Sequence, residues 1–259
     1  MSDSLYVAAT GMQAQQTQID VISNNLANVN TAGFKKSRVD FQDLMYRQLN
    51  PAFNSLEALA SSNGVGLGTA VSSTSKDFSV GEMKKTEKLL DIAIDGKGFY
   101  EVVLPDSSYA YTRGGSFSVN EEGFLVSTNG YLVNPMIQLP SDMESLLIEP
   151  NGEVKVKMPG QERLVDLGQI ELGQFVNDTG LKALGENLYL PTEQSGEPMY
   201  YKPGESGAGL LRQGYVEASN VKLVEELTNM ILAQRAYEIN SKVIQASDEM
   251  LGIVNNLRR

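Results

Sequence analysis

The sequence predicts an α+β protein, in which an antiparallel all-β central domain is flanked by long N- and C-terminal helices pairing as a coiled-coil-like inner domain. Three observations lead there. Large apolar residues recur every seven positions at both ends of the 259-residue chain. The middle is a series of short β-prone runs separated by turn dipeptides. The acidic charge is confined to that middle: residues 41–219 hold 24 acids against 13 bases, which accounts for the whole net charge of -11, while both ends are neutral. Neutral ends and a charged middle suit a molecule whose ends pack against copies of themselves while the middle faces solvent.

The first element is a helix over about 5–29. Leu5, Met12, Ile19 and Leu26 fall seven apart, with Ala8, Ile22 and Val29 three residues after such positions, which is a heptad seam. Gly and Pro are absent from 12–32, and Gly33 supplies a stop. Residues 46–75, with Pro51, repeated Ser and Gly64-Val65-Gly66-Leu67-Gly68, read as a long irregular connector. A segment of that length in a compact chain is usually functional or disordered, and 46–68 is expected to wedge between neighbouring subunits.

Strands are expected at Leu89–Ile94, Phe99–Leu104, Tyr109–Thr112, Phe124–Val126 and Val165–Leu172. Turn chemistry separates them at Asp95-Gly96, Pro105-Asp106, Gly114-Gly115, Asn129-Gly130, Asn151-Gly152 and Pro159-Gly160. The last element mirrors the first: Leu223, Met230, Tyr237, Ile244 and Leu251 recur every seven residues. Its seam is mixed, since Gln234, Ser241 and Asp248 follow large apolar residues by four, with Ala233, Asn240 and Ser247 beside them. Polar groups there weaken a simple two-stranded coil and fix register in a larger bundle. Both apolar stripes are too narrow for ordinary core faces. The expected division is 1–32 with 220–259 as a terminal helical domain, 33–75 as an extended connector, and 76–219 as the β-rich domain.

Little enzyme chemistry is open to this chain. Without Cys or His it has no thiolate or imidazole, hence no Ser-His-Asp triad and no ordinary zinc site. Gly64-x-Gly66-x-Gly68 lacks the preceding strand and following helix of a phosphate cradle. Ser73-x-x-Lys76 has the spacing of a serine-lysine pair but none of its partner motifs. Glu121-Glu122 before Gly123 reads as a solvated hairpin turn. No calcium loop is present, so catalytic, cofactor and metal residues are all expected to be absent. The acidic balance disfavours nucleic acid. A carboxylate-based enzyme acting on carbohydrate is the competing class. The N-terminus shows neither a basic region nor an apolar run of secretory type, and no stretch approaches the roughly 20 apolar residues of a membrane span. Taken alone, those features predict a cytoplasmic protein, an expectation that the resemblance below overturns.

Four stretches carry a resemblance. Asn24-Asn25-Leu26-Ala27-Asn28-Val29-Asn30-Thr31-Ala32-Gly33-Phe34-Lys35 resembles the N-terminal signature of the axial proteins of the bacterial flagellum, the rod and hook proteins. Gly214-Tyr215-Val216-Glu217-Ala218-Ser219-Asn220-Val221, with the later Gln234–Lys242 block, resembles the other end of the same basal-body rod family. Ile94–Tyr100 and Tyr111–Phe117 match its centre. The resemblance implies a structural subunit of the distal rod. Such a subunit self-assembles into a hollow helical tube that is both drive shaft and export channel, with the terminal helices inside and the β domain outside. Proximal rod or hook subunits of the same family are the alternative. The resemblance also implies type III export into the periplasm without a cleaved signal peptide. The implied partners are further copies of the chain, a proximal rod protein, a hook protein and the surrounding basal-body rings. The resemblance implies no cofactor, no nucleic acid and no small-molecule substrate. Leu5, Met12, Ile19, Leu26, Leu223, Met230, Tyr237, Ile244 and Leu251 are the expected subunit-packing residues.

Overall fold

The computed structural model describes residues 2–48, 64–160 and 163–257, and most of the expected 46–68 wedge, residues 49–63, lies outside them. The architecture is α+β, with one long helix at each end and antiparallel strands between. The chain divides into two compact units. The helical unit contains Met1–Ala27, Ser37–Ser75 and Lys222–Arg259, and the β unit contains Asn28–Lys36 and Lys76–Val221. The chain therefore crosses between units after residues 27, 36, 75 and 221.

In the helical unit, α1 (Ser2–Ala27) and α2 (Leu223–Leu257) lie against one another. They run antiparallel, because Gly11 stands beside Asn240 while Asn25 bonds Glu226. At 1.5 Å rise, the 26 residues of α1 span about 39 Å. Helix α1 stops two residues short of the expected Val29. The Thr31 amide donates to the Asn28 carbonyl and the Thr31 hydroxyl to the Asn28 side chain, a local turn that competes with helix continuation. Part of the stretch expected to be irregular is stranded: Thr69–Lys76 pairs with Ser37–Asp43, and Gly64–Gly66 with Tyr46–Gln48. The β-branched Thr69, Val71 and Thr74 favour the extended backbone, and their ladder partner, Ser37–Asp43, comes from before residue 46, out of reach of a local reading.

In the β unit a seven-stranded antiparallel sheet runs in the order Lys182–Gly185, Leu188–Leu190, Tyr109–Thr112, Tyr100–Val103, Leu132–Asn134, Leu125–Ser127, Phe117–Val119. A three-stranded sheet of Ser145–Ile148, Glu153–Lys157 and Leu164–Gln169 packs with it around one core that includes Ile92, Tyr100, Val102, Val133, Val156 and Leu211. Four of the six expected turn dipeptides close hairpins; Asp95-Gly96 and Gly114-Gly115 do not. Ile92–Asp95 pairs instead with the distant Leu210–Gln213. At Gly115 a Cβ would stand 2.2 Å from the Ile92 carbonyl oxygen, so that glycine serves a close backbone approach rather than a turn.

Candidate functional site

Two arrangements concern how this chain holds itself and offers surfaces to others: the helix pair and a buried ionic cluster in the β unit. Along α2, Glu226, Met230, Ala233, Tyr237, Asn240, Ile244, Ser247 and Leu251 follow in alternate steps of four and three, a single seam. Within it Glu226, Ala233 and Ser247 are buried, Met230, Tyr237, Asn240 and Ile244 are half-buried, and Leu251 is exposed. On α1 the buried positions are Ala8, Ala14, Ile22 and Asn25, whereas Leu5, Met12, Ile19 and Leu26 are half-buried. Leu223 is exposed. The expected packing residues thus share the contact with small and polar side chains and with the fully buried Ile22. A Cβ on Gly11 would come within 2.9 Å of the Asn240 amide nitrogen, so the helices approach closely there.

Asn25 fixes one end of the pair. Its amide oxygen accepts from the Ser37 N–H at 2.9 Å, its amide nitrogen donates to the Ser37 carbonyl at 2.9 Å, and the same nitrogen donates to Glu226 at 3.2 Å. Asn25 is buried, and this reciprocal amide pairing satisfies it in the way a ladder partner would.

The second arrangement was not legible in any one stretch. Lys35, Glu217 and Arg113 are 0, 1 and 4% exposed. Lys35 Nζ donates to Glu217 Oε1 at 2.7 Å and to the Ser79 carbonyl at 2.7 Å. Arg113 meets the other carboxylate oxygen through Nε at 2.9 Å and Nη2 at 2.8 Å. Its Nη1 donates to the carbonyls of Gly96 at 2.8 Å and Gly98 at 2.6 Å. Two cations share one carboxylate, and backbone carbonyls solvate the surplus positive charge. Burial costs several kcal/mol per ion, so the cluster holds only because its donors and acceptors are matched. Burial pulls the Lys35 ammonium below its ordinary value, and the Glu217 carboxylate partly opposes this.

Backbone contacts close around the cluster. The Gly33 N–H donates to the Glu217 carbonyl at 2.8 Å, and the Gly81 N–H to Glu217 Oε1 at 2.7 Å. At Gly33 φ is +71° and a Cβ would stand 2.9 Å from Gly114, so this residue is a packing contact with the 111–117 stretch, not the helix stop that the sequence implies. Phe34 lies under the Lys76 ammonium, 4.6 Å from ring centroid to nitrogen. The four stretches that carried the family resemblance therefore converge here, through Lys35, Glu217, Arg113 and the carbonyls of Gly96 and Gly98. Each is more than sixty residues from at least one of the others. The only local hint was charge of both signs inside otherwise apolar, Gly-rich stretches.

The remaining sequence candidates resolve without chemistry. Gly64–Gly66 is a strand, and no helix follows it. Ser73 and Lys76 share a strand three positions apart, on opposite faces; Ser73 Oγ bonds Asp40, and Lys76 Nζ donates to the Lys35 carbonyl at 3.0 Å. Glu121 and Glu122 sit exposed in the turn before Phe124. Among the described residues no group of acids is placed to hold a metal, and no helix is long and apolar enough to cross a membrane.

Comparison with known proteins matches three parts of the chain to family models. Residues 5–35 match "Flagella basal body rod protein", 93–156 "Flagellar hook protein FlgE/F/G D1 domain", and 212–257 "Flagellar basal body rod FlgEFG protein C-terminal". Proteins named flagellar basal-body rod protein FlgG are similar over their full lengths. That of Borreliella burgdorferi is 48% identical over 100% of both chains. That of Buchnera aphidicola subsp. Baizongia pistaciae is 49% identical over 97% of this chain and 98% of its own. That of Caulobacter vibrioides is 45% identical over 98% and 99%. A Bacillus subtilis protein named flagellar hook-basal body complex protein FlhP is 30% identical over 100% of both. Full-length identity at this level, together with family models matching both ends and the centre, shows that the chain is a structural subunit of the flagellar basal body and belongs to the basal-body rod protein FlgG family.

Proposed function

We propose that the chain forms the distal rod by self-assembly into a hollow helical tube, which serves as a drive shaft and export channel spanning the periplasm. In this reading 1–32 and 220–259 form a coiled-coil-like inner layer, 33–75 an extended connector and 76–219 the outer layer. The chain performs no catalysis and holds no cofactor. It reaches its place by type III export without a cleaved signal peptide. Its neighbours are other copies, a proximal rod protein, a hook protein and the enclosing rings. A proximal rod or hook subunit is the second reading, favoured by the shared descriptions of the 93–156 and 212–257 matches.

The observation that carries the proposal lies on α2. Besides the mixed seam, Leu232, Ala236, Ile239, Val243, Ala246, Met250, Ile253 and Leu257 follow in alternate steps of four and three, all of them apolar. The six large ones are all exposed in the single chain. At 100° per residue this second seam lies roughly a third of a turn around the helix from the first. A wholly apolar heptad stripe left open to water marks an interaction surface. Its straight, repeating form matches helix-on-helix packing between copies, in which one surface meets a different surface of the next subunit and the assembly does not close.

Ile239→Asp tests this. Burying an unpaired charge between copies is strongly unfavourable, whereas on an exposed face it is tolerated. The variant is expected to stay a folded monomer with unchanged melting of its β unit and to form no tubes at concentrations where the parent does. Tubes of normal abundance and shape, seen by electron microscopy, would remove the basis of the proposal.

A further inference from the structure

We infer that Lys35, Glu217 and Asn220 form a clamp binding together the three stretches through which the β unit connects to the rest of the chain, and that this clamp is the root through which mechanical load enters that unit. The inference rests on the rod reading for its load and on hydrogen-bond geometry for its existence.

The four crossings between units leave the β unit from three places: both ends of 28–36, the start at Lys76 and the end at Val221. The same few side chains hold all three. Lys35, from the first stretch, donates to the Ser79 carbonyl in the second and to Glu217 in the third. Asn220, from the third, accepts from the Lys36 N–H at 2.8 Å and donates to the Asp77 carbonyl at 2.8 Å and to the Ser79 hydroxyl at 3.1 Å. The Asp77 N–H donates to the Lys36 carbonyl at 2.9 Å, and the Ala218 N–H to the Glu82 carbonyl at 2.8 Å. Arg113 then bolts Glu217 to the carbonyls of Ile94, Gly96 and Gly98, at the end of a core strand and in the turn that follows it. Each stretch is thus bonded to the other two, and the third is bonded to the sheet.

A subunit that only had to fold would need each of these stretches to pack somewhere on the β unit, and apolar contacts would serve. An ion pair buried this deeply is weak evidence for stability in itself. Directional, matched bonds contribute geometry: they resist sliding and twisting of one stretch against its neighbours, where a greasy contact allows both. Load arriving along any crossing is shared among all of them before it reaches the sheet.

The test uses the full-length chain carrying Asn220→Ala, with Lys35→Met as the second variant; in the latter Glu217 keeps its Arg113 partner. Amide exchange is followed at Gly33, Lys36, Asp77 and Gly81, with Val102 and Ala110 as core references. Losing about two net hydrogen bonds is expected to speed exchange at all four sites together by roughly tenfold, with the references unmoved. Acceleration confined to Lys36 in Asn220→Ala, where the bond is direct, or to Gly81 in Lys35→Met, would show independent contacts and overturn the clamp. Tubes assembled from either variant are expected in normal amount but with a shorter persistence length. Tubes as stiff as the parent's would overturn the load-bearing role. If the parent itself forms no tubes, the rod reading falls and the load with it, while the exchange result still decides the clamp.

Discussion

Glu217 illustrates how much one side chain can organise when it is buried with complete satisfaction: it receives Lys35, Arg113 and the Gly81 amide, while its own carbonyl takes the Gly33 amide. The buried tyrosines set a different, testable property. Tyr100, Tyr111 and Tyr189 are almost wholly inside, and burial pushes their hydroxyls above the ordinary value of 10.0. Tyr111 also donates to Glu101 at 2.8 Å and stands 2.9 Å from the Tyr200 hydroxyl. Tyr200, nearer the surface and bonded to Glu101, is pushed up to about 12, first by burial. As pH climbs past 10.0 the unfolded chain gives up tyrosine protons that the folded chain keeps, so stability falls. Each of the three fully buried groups contributes a loss of about 1.4 kcal/mol per pH unit there. Lys35 acts in the opposite sense: its lowered value means that the unfolded chain holds the extra proton just below 10.5, which raises stability with pH in that narrow range. Burial lowers Lys76 in the same way, and three tyrosines outweigh the two lysines. Urea unfolding at stepped alkaline pH should show the loss setting in near 10 and steepening, with three of the eleven tyrosines ionising only as structure melts. Absorbance that reaches the tyrosinate level of all eleven in a still-folded chain would contradict this.

Helix α2 carries two seams of different composition. The seam with Glu226, Ala233, Asn240 and Ser247 faces a helix at close range, where small and hydrogen-bonding groups fit. The seam with Leu232, Ile239 and Met250 is large and apolar and is exposed among the described residues. Adjacent substitutions should therefore behave oppositely. Ala233→Leu overfills a buried contact and is expected to lower the helix pair's stability by about 1–3 kcal/mol. Leu232→Ala lies on an exposed face, should leave the monomer within about 0.5 kcal/mol, and should weaken assembly instead. Helical circular dichroism on melting reads the first effect and sedimentation of polymer the second; a monomer destabilised more by Leu232→Ala than by Ala233→Leu would reverse the assignment of the seams.

At the scale of the whole molecule, the two units differ in how they are held. The buried apolar residues of α1 and α2 are Ala8, Ala14, Ile22 and Ala233 among the described residues, little to offset ordering entropy of order 1–2 kcal/mol per residue. The β unit instead has a large contiguous core and recruits 28–36 into it through Gly33, Phe34 and Lys35. Limited proteolysis of the dilute chain is expected to cut within 1–27 and 222–257 early and to leave one resistant piece that contains 28–36 and 76–221. A first cut between Gly33 and Lys36, or helices as resistant as the sheet, would show a different division of stability.

The sequence by itself determined the local terms: two long helices from their heptads, an antiparallel middle from alternating short runs and turns, the closed list of chemistries from missing Cys and His, and the family from four motifs. Hairpins such as that at Asn129-Gly130 were legible because turn and strands are neighbours. The tertiary structure alone decided which partners lie far apart in the chain. It brought Ile92–Asp95 to Leu210–Gln213, placed Ala233 rather than a large apolar residue at the centre of the helix contact, and closed Lys35, Arg113 and Glu217 into one cluster. The physical reason is common to all three. Periodicity reports that a face is apolar but not what covers it, and a charged residue in a Gly-rich stretch carries no mark of whether water or a counter-ion will satisfy it until the chain has folded.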